Sequence, residues 1–357
     1  MPSVSEEDLD HILAHTRDLW EPLRGQNLFV TGGTGFFGRW LLESFAFINE
    51  RLGLGALMTV LTRDPAAFAA KAPALAAYPR IHFVQGDVCR LSRDDILSRL
   101  SPGHSGEFPF VVHAATESVL TAGLDDPLLT FDTIVQGTRA ALDFAVASGA
   151  RRFLFTSSGA VYGEQPPHMP NVSESYAGAP DCTHPASAYG EGKRAAELLC
   201  ALYHRRHPEL EPVIARCFAF VGPFLPLDAH FAIGNFIRDA LHGGPIKIGG
   251  DGTPHRSYLY AADLAVWLWT LLFRGRPGHP YNVGSREDVT ILELAQAVAG
   301  CLSELTNVEV AKPSAPSMPP ARYVPDISLA ERELGLSCRI SLCEAISRTA
   351  AWHRSIR

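Results

Sequence analysis

The stretch Asn27-Leu28-Phe29-Val30-Thr31-Gly32-Gly33-Thr34-Gly35-Phe36-Phe37-Gly38 decides the fold. Its first five residues read as a short buried strand. They run straight into a glycine turn, and Arg39-Trp40-Leu41-Leu42-Glu43-Ser44-Phe45 then reads as a helix. Strand, glycine turn, helix is the setting in which such glycines carry meaning. Gly33, Gly35 and Gly38 satisfy GxGxxG, and Gly32, Gly35 and Gly38 satisfy GxxGxxG. Without side chains, the turn can approach a pyrophosphate, which then rests on the helix N-terminus. The stretch therefore predicts dinucleotide binding.

Working outward, the same alternation recurs. Leu57–Leu61, Ile81–Val84, Phe110–Thr116 and Arg152–Ser158 read as strands, and residues 128–148 as a long helix. Strands alternating with helices predict a parallel, doubly wound α/β sheet. The carboxylate that binds a ribose at the end of the second strand is replaced by Thr62, followed by Arg63. Arg63 suits a 2′-phosphate, which points toward NADP, but a surface arginine fits as well. After the third strand, Asp87 in Gly86-Asp87-Val88 is placed to accept a hydrogen bond from adenine. Ala114 and Ala115, at the end of the fourth, are small enough for a cofactor to pack closely. Upstream, residues 5–24 read as one amphipathic helix. Ser5 and Asp8 cap it, and Leu9, Ile12, Leu13, Thr16, Leu19 and Leu23 mark its buried face. It should dock on the main domain or on a partner subunit.

A chain of 357 residues has room for a large core and a smaller lobe. Its 46% hydrophobic and 19% charged residues are ordinary for a soluble globular enzyme. A net charge of -7 argues against a nucleic-acid partner. The seven cysteines show no CxxC spacing and no even framework. That predicts free thiols in a reducing cytoplasm, without disulfides and without a metal site. The start lacks the layout of a signal peptide. No run reaches the roughly 18 apolar residues of a membrane span.

The chemistry is expected in Ser187-Ala188-Tyr189-Gly190-Glu191-Gly192-Lys193. If this stretch opens a helix, Tyr189 and Lys193 share a face. An ammonium beside a phenol favours the phenolate and lowers its pKa from about 10. The result is an acid or base usable near neutral pH. Ser158 ends the fifth strand, where a hydroxyl faces the ligand crevice. It is placed to hydrogen-bond the oxygen that Tyr189 deprotonates.

With these pieces in order, the chain resembles the extended short-chain dehydrogenases/reductases of the nucleotide-sugar epimerase/dehydratase type over residues 25–350. The likeness rests on Thr31–Gly38, Gly86-Asp87-Val88, His113-Ala114-Ala115, Gly137-Thr138, Ser158–Gly163 and Tyr189 with Lys193. It continues through Val221-Gly222-Pro223 and Gly249–Tyr260. The resemblance implies a Rossmann-type, mainly parallel seven-stranded sheet and a smaller C-terminal substrate lobe. Residues 1–24 would be an appendage. Residues 25–222, joined by 256–274, would bind the cofactor, and 223–255 with 275–357 the substrate. It implies NAD or NADP held tightly by Gly32, Gly35, Phe36, Phe37, Gly38, Arg63, Asp87, Val88, Ala114, Ala115, Tyr189 and Lys193. It implies a nucleotide-diphosphate sugar held by Ser158, Tyr189, Asn235, Arg256 and Arg322. It also implies a homodimer built by the helices at 128–148 and 187–205.

The departures from the family pattern are informative. Its 4,6-dehydratases carry an acidic pair after the catalytic hydroxyl, and its decarboxylases keep a glutamate at the second of those places. Here they are Gly159 and Ala160. Two asparagines of the pattern are replaced by Ile134 and Ala219. The reading that fits is an epimerase acting through a keto sugar, since this needs no further acid. A dehydratase or keto-sugar reductase using a displaced carboxylate such as Glu117 is the alternative within the fold. A dinucleotide-binding regulatory protein without turnover is the alternative outside it.

Overall fold

The computed structural model describes residues 3–100, 106–116, 126–229, 231–302, 306–313 and 319–356. Glu117 and the loop residues Ser314, Ala315 and Pro316 lie outside them. The main strands are β1 (Asn27–Thr31), β2 (Leu57–Thr62), β3 (Ile81–Gln85), β4 (Phe110–His113), β5 (Arg152–Ser158), β6 (Glu211–Cys217) and β7 (Pro280–Val283). They form one seven-stranded sheet in the order β3-β2-β1-β4-β5-β6-β7. Every pairing in it is parallel. β4 is shorter than its sequence suggests. Ala114 N–H donates to the Thr31 carbonyl at 3.1 Å and Ala115 N–H to Thr31 Oγ1 at 3.2 Å, so the chain leaves the ladder there.

A parallel sheet must be covered on both faces. Along β1, Leu28 and Val30 join one apolar cluster and Phe29 the other, as the two-residue period of a strand requires. Helices α2 (Phe36–Arg51) and α5 (Ala261–Arg274) supply the first face, where Trp40, Trp267 and Trp269 are fully buried. Helices α3 (Pro127–Ala147) and α4 (Ala188–Arg206) supply the second, with Ile134, Phe144, Ala196 and Cys200.

The N-terminal segment is one helix only as far as Thr16. Helix α1 (Glu6–Thr16) is followed by two short 3-10 turns, Arg17–Leu19 and Glu21–Leu23. Pro22, lacking an N–H, cannot continue an α-helix. The segment docks on the main domain, its apolar face joining the core. Buried Asp8 accepts from the Tyr260 hydroxyl at 2.9 Å and pairs with Arg348 at 2.5 Å. His11 Nε2 lies 2.8 Å from Asp263.

Past β6, His255–Ser257 forms the middle of a three-stranded sheet, antiparallel to Asp288–Thr290 and parallel to Arg322–Tyr323. Helices Ala232–Leu241, Ile291–Leu302 and Leu342–Ser355 pack nearby. Here one expectation fails. Cys301 and Cys343 are joined in a disulfide, with Cα atoms 5.8 Å apart. They stand on the second and third of those helices, and packing brings together two residues 42 apart in sequence. Short-range spacing carries no trace of such a pair. Among the described residues, no helix is long and apolar enough to cross a membrane.

Candidate active site

Strand order reverses between β1 and β4, which opens a crevice at the carboxyl ends of the strands. The glycine turn lies there. Gly32 has φ +73°, and a Cβ on it would sit 2.4 Å from the Ala114 carbonyl carbon. A Cβ on Gly38 would sit 2.3 Å from the Gly32 oxygen. Both glycines are thus required by the fold's own packing. Gly35 is different: its Cβ would meet only the Gly32 oxygen, at an ordinary 3.5 Å. The fold does not need a glycine there, but a ligand approaching the turn does. Gly35 is exposed where α2 begins, and no side chain caps that helix. Its first-turn N–H groups and helix dipole suit an anion. The cradle therefore fits the pyrophosphate of a dinucleotide.

The other residues expected to hold a cofactor surround this cradle. Phe36 and Phe37 are half-buried, with Phe37 edge-on to Phe220 at 5.0 Å. Asp87 is exposed, and its Oδ1 accepts from Cys89 N–H at 2.9 Å. Val88 is buried, and a Cβ on Gly137 would come within 3.0 Å of it, which explains the small residue on α3. Arg63 follows β2 and is exposed. Buried His113 was not singled out by sequence reasoning as a site residue. Its Nδ1 lies 2.7 Å from Thr31 Oγ1 and its Nε2 3.0 Å from Thr138 Oγ1. Burial, then the Lys193 charge, pushes its pKa down to about 3, so the ring is neutral. Through Thr31 it steadies Ala114 and Ala115.

Tyr189 and Lys193 stand in the first turns of α4. Buried Lys193 donates from Nζ to the Thr156 carbonyl at 2.8 Å and lies 5.8 Å from the Tyr189 ring centre. The sequence predicts that Lys193 lowers the Tyr189 pKa. In the protein alone the outcome is opposite: burial pushes Tyr189 up to about 12, with the Ser158 side chain pulling the other way. Burial also pushes Lys193 down to about 8. Desolvation outweighs a favourable partner here, with Lys193 buried and Tyr189 half-buried.

Ser158 Oγ accepts from Ala160 N–H at 3.2 Å and lies 3.4 Å from the Tyr323 hydroxyl. The end of β5 is locked from behind. Ser157 donates to Glu197 at 2.6 Å, Arg216 pairs with Glu197 at 2.7 Å and donates to Tyr162 at 2.9 Å, and Tyr162 donates to Asn282 at 2.7 Å. Beside Ser158, the corner at Gly159 is full. A Cβ there would stand 2.7 Å from the Phe218 ring and 2.8 Å from the Tyr323 hydroxyl. Those two rings pack at 4.7 Å. Tyr323 went unnoticed in the sequence; nothing in its neighbourhood points 165 residues back to Ser158.

The residues expected to hold substrate divide. Arg256 donates to its neighbour's carbonyl, that of His255, at 2.8 Å and lies 5.9 Å from the Tyr323 ring; among the described residues no carboxylate pairs with it. Arg322 is already paired with Asp288 at 2.5 Å and donates to the Pro170 carbonyl at 3.1 Å. Its guanidinium thereby ties Arg322 to Asp288 across the three-stranded sheet. The Asn235 side chain accepts from Arg238 at 3.1 Å. Among the described residues, no cluster of His, Cys, Asp or Glu could hold a metal ion.

The glycine cradle at the switch point is that of a Rossmann-type, dinucleotide-binding fold. Residues 28–284 match the NAD dependent epimerase/dehydratase family, and the chain belongs to that family. It is 31% identical over 331 residues to UDP-glucuronic acid decarboxylase 1 of Arabidopsis thaliana, covering 92% of this chain and 70% of that one. It is 26% identical over 333 residues to a dTDP-glucose 4,6-dehydratase of Streptomyces niveus, covering 92% and 93%. Among solved structures it is similar to DesIV, a dTDP-glucose 4,6-dehydratase from Streptomyces venezuelae with NAD and TYD bound. The TM-score is 0.74 at 28% identity, covering 92% of this chain and 97% of that one. The family comprises NAD-dependent nucleotide-sugar epimerases, dehydratases and decarboxylases.

Proposed function

We propose that the chain is a nucleotide-sugar epimerase that inverts carbon 4 through a keto intermediate. The observation that carries this is the filled corner beside a complete hydroxyl set. Dehydration and decarboxylation need a further acid or base after the serine, and Gly159 and Ala160 transfer no proton. At Gly159, Phe218 and Tyr323 occupy the space such a side chain would use. Epimerisation needs only Ser158, Tyr189 and Lys193.

NAD, held by the Gly32–Gly38 turn, Asp87, Val88, Ala114 and Ala115, would supply a hydride acceptor and donor. Tyr189 takes the proton of the sugar hydroxyl. Ser158 donates a hydrogen bond to the same oxygen and stabilises its developing charge. Lys193 binds ribose hydroxyls and contributes positive charge near Tyr189. Arg256 holds the diphosphate, where a planar fork matches phosphate oxygens. The absence of a carboxylate at Thr62 and the presence of Arg63 make NADP the cofactor to test against NAD. Leu128, Leu129, Leu198 and Leu202 are 79%, 46%, 60% and 51% exposed on α3 and α4, and we assign them to a homodimer interface.

The deciding experiment incubates purified protein with a panel of sugar nucleotides in deuterated water and follows products by NMR. An isomer free of solvent deuterium is expected. Loss of water with label at carbon 6, loss of carbon dioxide, or label at carbon 5 would each overturn the assignment.

A further inference from the structure

We propose that Tyr323 is a positioning residue that fixes the direction of the Ser158 proton and so tunes the basicity of Tyr189. This rests on the reading of Ser158, Tyr189 and Lys193 above. A serine hydroxyl has one proton and two lone pairs. Ala160 N–H, at 3.2 Å, takes one lone pair. The Tyr323 hydroxyl, at 3.4 Å, is within reach to donate to the other. Whenever Tyr323 donates as well, both lone pairs are taken and the single Ser158 proton is left for the Tyr189 oxygen or the sugar oxygen. Without Tyr323, the hydroxyl could rotate and accept from those groups instead, which is the wrong role for a group meant to stabilise an anion.

The geometry also allows the coupling to strengthen when needed. The one Tyr323 proton has a second acceptor, the Cys217 carbonyl at 3.5 Å. When Tyr189 ionises, Ser158 commits its proton to the phenolate and its oxygen becomes a better acceptor. The Tyr323 proton then shifts from Cys217 toward Ser158, and the chain of hydrogen bonds polarises together. No proton leaves Tyr323 in this process. Burial keeps its phenol protonated well above the ordinary range. Its place is held from both sides. Val324 N–H donates to Gln165 at 2.9 Å, the Val324 carbonyl accepts from Val172 N–H at 2.9 Å, and the ring lies against Phe218. A hydroxyl so firmly placed beside Ser158 is used by nothing else in the proposed chemistry.

The test titrates Tyr189 in the NAD-loaded protein. Tyrosine labelled with 13C at Cζ is incorporated, and the Tyr189 resonance is assigned by its loss in Tyr189→Phe. Its midpoint is then compared in wild type, Tyr323→Phe, Ser158→Ala and the double variant. Tyr323→Phe keeps the ring and should raise the midpoint by about 0.5–1 pH unit, the effect of one hydrogen bond. In the Ser158→Ala background the same change should do nothing, because the route runs through Ser158. An unchanged or lowered midpoint in Tyr323→Phe overturns the inference, and so does a shift that persists without Ser158. If Tyr189 stays protonated to pH 10 in the wild-type holoenzyme, the phenolate reading falls and takes this inference with it. If Tyr189 titrates identically with and without Tyr323, only the inference falls.

Discussion

Adding one methyl group to Gly159 tests the filled corner directly. In Gly159→Ala the new Cβ would stand 2.7 Å from Phe218 and 2.8 Å from the Tyr323 hydroxyl, where ordinary contact begins at 3.4 Å. The walls must therefore open by about 0.6–0.7 Å, the difference between those distances. Phe218 and Tyr323 pack on each other, so neither ring can retreat alone. Overpacking of this kind costs about 1–3 kcal/mol. In a chain of this size that is a fall of roughly 2–6 °C in Tm. The same displacement carries the Tyr323 hydroxyl, now 3.4 Å from Ser158, beyond hydrogen-bond range. Calorimetry should show the lower Tm. Turnover of the sugar nucleotide should fall about tenfold, the worth of one hydrogen bond in the reacting state. Gly159→Asp, which restores the carboxylate of the dehydratase pattern, should meet the same wall and produce no dehydratase. Phe218→Leu should relieve the crowding and recover the lost Tm in the Gly159→Ala background. A Gly159→Ala protein with wild-type Tm and turnover would refute the reasoning, because the corner would then be open.

Tyr189→Phe should lower kcat by about 10²–10⁴, the usual contribution of a positioned acid or base, while a sugar nucleotide still binds by calorimetric titration; retained turnover would remove the mechanism and leave the fold. His113 is neutral in the fold with its pKa near 3, but takes a proton below about 6.5 once unfolded. The unfolded state therefore binds the extra proton, and stability drops as pH falls through that window, by about 2 kcal/mol at pH 5. Urea unfolding at pH 7 and pH 5 should show this loss in wild type and not in His113→Gln; equal losses would place the histidine in water. Replacing Leu198 and Leu202 together by glutamate should shift the protein from dimer to monomer in sedimentation, and a variant that stays dimeric would move the interface elsewhere.

Much of this protein was legible in local spacing. The glycine turn, the strand alternation and the order Ser158, Tyr189, Lys193 are carried by runs of a few residues. Backbone sterics and one-turn periodicity fix such runs before any tertiary contact forms. What sequence reasoning missed lies where distant segments complete one another's valences. Tyr323 reaches Ser158 across 165 residues, and Asp8 reaches Tyr260 across 252. Cys301 meets Cys343 through helix packing, and Arg322 pairs with Asp288. The sign of the Tyr189 shift was also misread, because spacing shows a nearby ammonium but not the burial that outweighs it. By itself the sequence determined the sheet and the cofactor cradle, and it named the hydroxyls proposed to react. Only the tertiary structure decided what fills the space beside them. Periodicity records which face of an element is apolar, whereas a packed corner depends on which side chains arrive there from elsewhere in the chain.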